Sequence, residues 1–366
     1  MPWTKLQADA IEREHRWSSQ KGDRAVTYRQ AIREAQHQAL KADPSVFVMG
    51  EGVDDPGGVF GTTLDLHKEF GRDRVIDLPL AENGFTGIAI GAAIAGMKPI
   101  LVHMRMDFLL LSMDQIVNHA SKWRYMFGGR ENVPLTIRSI IGRGWGSAAQ
   151  HSQSLHGLFL HVPGLKLVVP STAYDVKGLL LASIADEDPV MFVEHRWLYD
   201  QVDHVPEEMY TIPFGKGRVI RKGADVTVVA ISHMVVEALK AARMAEEDYG
   251  ISCEIVDPRT LRPLDEKTIL RSVRKTGRLV IADGAWRTGG ASAHLASVVA
   301  EKGFTYLKAP IQRVCFPDTP TPAAPALEQA FYPGAMEIVK AAKQVVRLSN
   351  QRSGSAGSRR VKGKKQ

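Results

Sequence analysis

The sequence predicts two doubly wound α/β domains in series, followed by a basic tail. Three observations carry this reading. Short apolar runs alternate with helical patterns almost throughout, the sequence form of βαβ units and parallel sheets. The alternation lapses once, over residues 199–217, where Pro206 and Pro213 act as breakers. The chain has 366 residues, and at about 100–200 residues per domain two domains are the default.

In the first domain, residues 45–50, 98–104, 134–141, 166–170 and 189–194 read as strands buried on both faces. Residues 74–80 are also strand-like, and helical patterns cover 84–96, 108–127 and 174–185. In the second domain the series is strand 225–231, helix 235–249, strand 252–257, helix 266–276, strand 278–282 and helix 291–302. A Pro-rich segment at 316–325 precedes a last helix at 335–347. The predicted organisation is an N-terminal extension (1–23), a first domain (24–200), a linker (201–217), a second domain (218–348) and a disordered tail (349–366).

Composition excludes several classes. Hydrophobic residues at 44% and charged residues at 24% are ordinary for a globular chain, not a disordered or collagenous one. The formal charge of +7 suggests a polyanion partner, but the tail alone contributes six cations and no acid, which leaves +1 for the rest. The body is near neutral, and the tail reads as a solvated end. Two cysteines, Cys253 and Cys315, form no disulfide framework and point to a reducing compartment. The N-terminus has no apolar signal core, and the longest mostly apolar run, residues 84–97, is too short for a bilayer. A cytoplasmic location is expected.

The common motifs fail. Gly142-Arg-Gly-Trp-Gly146 follows a strand but completes neither a Rossmann nor a P-loop fingerprint. His151 and His156 lack partners at zinc spacing, and no nucleophile elbow is present. Attention falls instead on three loops at strand C-terminal ends, where parallel sheets bind ligands. Glu82 opens a helix rich in Gly and Ala; it is either a first-turn acid stabilised by the helix N-terminus or a functional carboxylate. His151, in Gln150-His-Ser-Gln-Ser154, is a structural histidine or a proton-transfer group oriented by its neighbours. Phe108 would by default be a core aromatic.

These segments together resemble the β subunit of thiamine-diphosphate-dependent 2-oxo acid dehydrogenases: the pyruvate, branched-chain and acetoin components. The stretches that carry the resemblance are Leu80-Ala-Glu-Asn-Gly84, Met106-Asp-Phe-Leu-Leu-Leu-Ser-Met-Asp-Gln-Ile116, Arg124-Tyr-Met-Phe-Gly-Gly129 and Gln150-His-Ser-Gln-Ser-Leu155. His161-Val-Pro-Gly-Leu-Lys166, Asp175-Val-Lys-Gly-Leu179, Asp257-Pro-Arg-Thr-Leu261 and Arg287-Thr-Gly-Gly290 extend it over residues 26–348. The family fold is a pyrimidine-binding domain followed by a transketolase C-terminal domain.

The resemblance implies roles. Glu82 matches the glutamate that hydrogen-bonds N1′ of the cofactor aminopyrimidine, Phe108 the aromatic that stacks on it, and Leu80 the apolar residue beside it. His151 matches the histidine at the reacting adduct or the incoming lipoyl group. A potassium site maps onto Leu135, Ser183, Ile184 and Asp186, with Asp188 nearby; a loop satisfied by water is the alternative. The Gly-Asp-Gly and downstream Asn that hold magnesium and the diphosphate in the family are missing: Ala282-Asp-Gly-Ala285 has no Asn before Asn350. The expectation is therefore half a site, completed by an α subunit that carries that motif in an α2β2 assembly. The expected reaction is decarboxylation of a 2-oxo acid and acyl transfer to a lipoylated acyltransferase or another acyl carrier, without membrane or nucleic-acid partners.

Two rivals stand: a two-chain transketolase-like enzyme passing a two-carbon unit to an aldehyde or carrier, and a noncatalytic scaffold or nucleic-acid binder using the tail. His103, Arg105, Arg143 and Trp145 depart from the family pattern. Either they adapt the site to a different, anionic substrate or acceptor, or they are neutral changes on its outer wall.

Overall fold

A computed structural model describes residues 24–142 and 146–359. The expected N-terminal extension and the positions Arg143 and Trp145 lie outside the described residues. The chain divides into two compact units: Met1–Lys216 with Arg259–Leu264 and Pro320–Glu328, and Gly217–Pro258 with Asp265–Thr319 and Gln329–Gln366.

In the first unit the elements run β1 (Arg24–Thr27), α1 (Tyr28–Ala42), β2 (Val46–Gly50), α2 (Leu66–Phe70), β3 (Val75–Asp77), α3 (Glu82–Ile94), β4 (Lys98–His103), α4 (Met106–Leu109), α5 (Trp123–Met126), β5 (Thr136–Ile141), α6 (His156–Leu160), β6 (Lys166–Val168), α7 (Ala173–Ala185), β7 (Val190–His195) and β8 (Val202–Val205). One strand from later in the chain, β12 (Thr260–Arg262), joins this unit. The seven-stranded sheet has the order β12-β6-β7-β5-β4-β2-β3. It is parallel except for the β12 edge. β2, β5 and β7 are buried along their whole length, as a sheet covered on both faces requires. Helix α1 starts with a capping box: the Thr27 hydroxyl accepts the Gln30 N–H and the Gln30 side chain accepts the Thr27 N–H. Its apolar face, Ala31, Ile32, Ala35 and Ala39, packs on α7.

In the second unit β9 (Arg218–Arg221), β10 (Val226–Ala230), α8 (Met234–Tyr249), β11 (Cys253–Asp257), α9 (Glu266–Thr276), β13 (Leu279–Trp286), α10 (Ala291–Gly303) and β14 (Gln312–Phe316) build a five-stranded sheet of order β14-β13-β10-β11-β9. It is parallel except for β9. The core joins Val226, Val228, Ala238, Ala242, Ile255 and Val280. The described residues end in α11 (Pro325–Phe331), of which Pro325–Glu328 belong to the first unit, and α12 (Ala335–Arg359). Two α/β domains with parallel sheets are thus the observed architecture.

Three elements differ from the sequence expectation. The segment 201–217 does not begin as linker: β8 pairs antiparallel with β1, because Asp203 and Val205 turn inward on a period of two. The single helix expected over 108–127 is a chain of short turns: α4, a 3₁₀ turn at Leu110–Ser112, a π-helical turn at Gln115–Ala120, and α5. The tight turn places Ser112 in the interior, 2.8 Å from the Thr86 hydroxyl on α3. The last helix runs past Ser349, where the basic tail is expected to begin, to Arg359. Its buried stripe Ile338, Ala342 and Val345 continues to Ser349. No described helix is long and apolar enough to cross a membrane.

Candidate active site

The catalytic and pyrimidine-binding residues expected from sequence lie at the C-terminal edge of the first unit's sheet. Strand β3 leads through Leu80 into α3, whose first residue is Glu82. Ala81 supplies no side-chain cap, so the first-turn carboxylate lies near the N-terminal partial charge of the helix. Glu82 is half-buried and has no cation partner among the described residues.

Two further carboxylates gather beside it. β2 and β3 run parallel with Gly50 opposite Asp77, so Glu51 and Asp77 emerge at the same edge. Asp77 Oδ1 accepts the Gly52 N–H at 2.6 Å. Burial raises the Glu51 carboxyl above the usual range, and the charges of Glu82 and Asp77 raise it further. Glu51 was not anticipated from sequence; the signal that could have found it is an acid between two glycines, directly after a fully buried strand.

The second cluster joins the turn after β4 to the loop after β5. Phe108 is 40% exposed, not a core aromatic, because α4 buries Met106 and Leu109 instead. Its ring meets His151 edge to face, with centroids 5.1 Å apart at 79°. Arg105 Nη1 donates to the His151 carbonyl at 2.8 Å, and the Gln153 N–H donates to Asp107 Oδ1 at 3.1 Å. Burial raises the Asp107 carboxyl, a shift opposed by its bonds to Gln153. The loop leaves β5 through Gly142 at φ +97°, where a Cβ would lie 2.7 Å from the His195 ring; only glycine fits.

The structure therefore brings Phe108 and His151 together and places Glu82 with Glu51 and Asp77. Leu80, next to Glu82 in sequence, is 81% exposed. An unpaired carboxylate flanked in sequence by an exposed leucine, with an exposed aromatic at the same edge, suits an aminopyrimidine, which needs a partner for N1′ and apolar contact for its ring faces. The expected potassium residues lie elsewhere, at the N-terminal edge of the sheet. The Leu135 carbonyl accepts the Val190 N–H and the Ser183 carbonyl the Asp186 N–H, each keeping a second lone pair. Lys166 Nζ meets Asp186 at 2.6 Å and Asp188 at 3.2 Å. Among the described residues, no group of three or more His, Cys, Asp or Glu is placed to hold a metal ion.

Comparisons with known proteins identify the family and the fold. A family model of the transketolase pyrimidine-binding domain matches residues 24–201, and one of the transketolase C-terminal domain matches residues 215–338. The acetoin:2,6-dichlorophenolindophenol oxidoreductase β subunit of Bacillus subtilis is 46% identical over 86% of this chain and 96% of its own. The pyruvate dehydrogenase E1 component β subunit of Rickettsia felis is 43% identical over 87% of this chain and 98% of its own. A solved split-gene transketolase, an inactive β4 tetramer, shares the fold with a TM-score of 0.73 at 23% identity, covering 88% of this chain and 99% of that one. The chain belongs to the family of transketolase-type β subunits that includes the pyruvate dehydrogenase E1 and acetoin oxidoreductase β subunits.

Proposed function

We propose that this chain is the β subunit of a thiamine-diphosphate-dependent 2-oxo acid dehydrogenase, decarboxylating a 2-oxo acid and passing the acyl unit to a lipoyl group. The observation that carries it is Glu82: a half-buried carboxylate with no cation partner among the described residues, at the sheet edge that also holds the Phe108–His151 pair.

Bound thiamine diphosphate would supply a deprotonated thiazolium carbon as nucleophile toward a keto group and a ring able to take up the electron pair released with carbon dioxide. Glu82 would accept a hydrogen bond from the protonated N1′ of the pyrimidine; such a charge-assisted bond is worth about 1.5–3 kcal/mol. Burial, with the charges of Glu82 and Asp77 added to it, raises the Glu51 carboxyl beside this site. Phe108 and Leu80 shelter the ring from water. His151, fixed through its main chain by Arg105, presents an imidazole for proton transfer to the acyl acceptor.

The diphosphate and magnesium belong to an α subunit, in an α2β2 assembly. The α3 surface supports a partner: Ile88 is 58% exposed, and a Cβ on Gly84 or Gly91 would meet nothing within 4 Å, so another chain can approach the helix backbone closely. Leu80, Leu111, Tyr125 and Met126 add exposed apolar area of the kind that interfaces cover. Potassium at the 183–188 turn, through carbonyls of Leu135, Ser183, Ile184 and Asp186 with Asp188 nearby, would brace it from the far side.

The test is Glu82→Gln in the chain co-purified with its α subunit. Turnover of 2-oxo acids should fall at least about 100-fold, the lower range for losing a positioned proton carrier, with weaker thiamine diphosphate binding and an unchanged far-UV spectrum. Full turnover with normal cofactor affinity would sink the assignment.

A further inference from the structure

Arg105 and Arg196 emerge at the same C-terminal sheet edge. Arg105 lies two residues past β4, and Arg196 directly follows β7. Both strands pair in parallel with β5, one on each side. Neighbouring strands lie about 4.8 Å apart, so the two chains leave the sheet within about 10 Å of each other, a gap that two arginine side chains span. Both side chains are half-buried. The Arg196 guanidinium lies over the Phe60 ring at 3.4 Å from its centroid, and 5.7 Å from that of Tyr199. This stacking fixes its plane. Of the five donors of Arg105, one hydrogen bond is made among the described residues, to the His151 carbonyl.

We propose that Arg105 and Arg196 form a binding site for an anionic group, a carboxylate or phosphate, at the end of the 2-oxo acid remote from its reacting carbon. Planar guanidinium forks suit such oxygens, and Arg105 joins this site to His151. The charges agree: burial holds the Arg196 guanidinium below its ordinary range, and the cations of Arg105 and Arg29 add to this against the opposing effect of Tyr199. A bound anion relieves that repulsion. The assignment rests on the proposed 2-oxo acid chemistry and narrows its substrate class: an acid with a second negative charge, not one ending in a methyl group.

The experiment uses the chain co-purified with its α subunit and an artificial electron acceptor, so that the acyl carrier plays no part. A length-matched panel of 2-oxo acids ends in methyl, carboxylate or phosphate. The anionic ends should be preferred at least 10-fold in kcat/KM. Arg196→Gln should reduce that preference 10- to 100-fold, mainly through KM, and Arg196→Lys should restore part of it. A preference for the methyl end, or an equal loss on all three substrates, overturns the proposal. So does a loss of thiamine diphosphate affinity in Arg196→Gln matching the loss in kcat/KM, because the anion is then the cofactor's own. If no 2-oxo acid turns over, the proposed function fails, and the anion site is read separately. Inorganic phosphate should raise the Tm of the wild-type complex but not of Arg196→Gln; equal protection of both removes the site.

Discussion

Replacing Arg138 by methionine perturbs a fully buried charge network. Arg138 sits in the central strand β5 with no solvent exposure. Its Nε and Nη2 donate to the Glu194 carboxylate on β7 at 2.6 and 3.0 Å, its Nη1 to Gln36 Oε1 at 2.7 Å, and Nη2 also to the Thr62 hydroxyl at 2.9 Å. The Tyr199 hydroxyl donates to the same carboxylate at 2.8 Å. Methionine fills much of the volume but leaves the Glu194 carboxyl group buried with one remaining side-chain donor, the Tyr199 hydroxyl. Breaking such a pair from one side costs about 3–5 kcal/mol, since the orphaned charge keeps its desolvation penalty. In urea denaturation, with m of about 3 kcal/mol/M, the midpoint for the first unit should fall by about 1–1.7 M. Arg138→Met/Glu194→Leu removes both charges and should recover most of that loss. A midpoint shift below about 0.3 M for the single variant, or a double variant less stable than it, would mean that the unpaired Glu194 carries no desolvation penalty. The network also bears on the site, because it joins β5 and β7 just before they release the His151 loop and Arg196.

Two further predictions concern the scaffold. Burial alone pushes the His103 imidazole down to about 4 from 6.5, so below pH 6.5 the unfolded chain binds a proton that the folded chain rejects. Stability is complete above pH 6.5 and falls as the pH drops toward 4; His103→Phe should flatten this part of the pH–stability curve, and an unchanged slope would count against a buried neutral ring. Gly164 has φ +87°, and a Cβ there would lie 1.9 Å from the Ser121 carbonyl. Gly164→Ala should therefore cost more than about 2 kcal/mol and lower Tm by at least about 4 °C, whereas an unchanged Tm would show that the backbone yields.

Most of the regular elements are legible in the sequence because their signals are local. The strands β2, β4, β5 and β7 are continuous apolar runs, and α9 spans Glu266–Thr276 as its strong amphipathic pattern predicts. Helix α1, β1 and β14 have weaker local signals. α1 hides its apolar face among charged residues, and β1 and β14 are short strands with mixed patterns. The turns over 106–126 defeated a helical reading because local 3₁₀ and π geometry answers to packing against α3, not to propensity. The loops carrying Glu82, Phe108 and His151 are legible from their place after strands, and the roles proposed for them rest on resemblance of the ordered motifs. Sequence alone could not place Glu51 beside Glu82, join Phe108 to His151, or bring Arg196 to the edge that holds Arg105. Those proximities depend on strand order: β2 beside β3, and β4 and β7 flanking β5. Periodicity along the chain records how each segment faces the core, whereas the neighbours that shift a charge or orient a ring come from segments tens of residues away. Two α/β domains and their family are therefore readable from local patterns and ordered motifs. Which charges share an edge follows from the order of strands in the sheet.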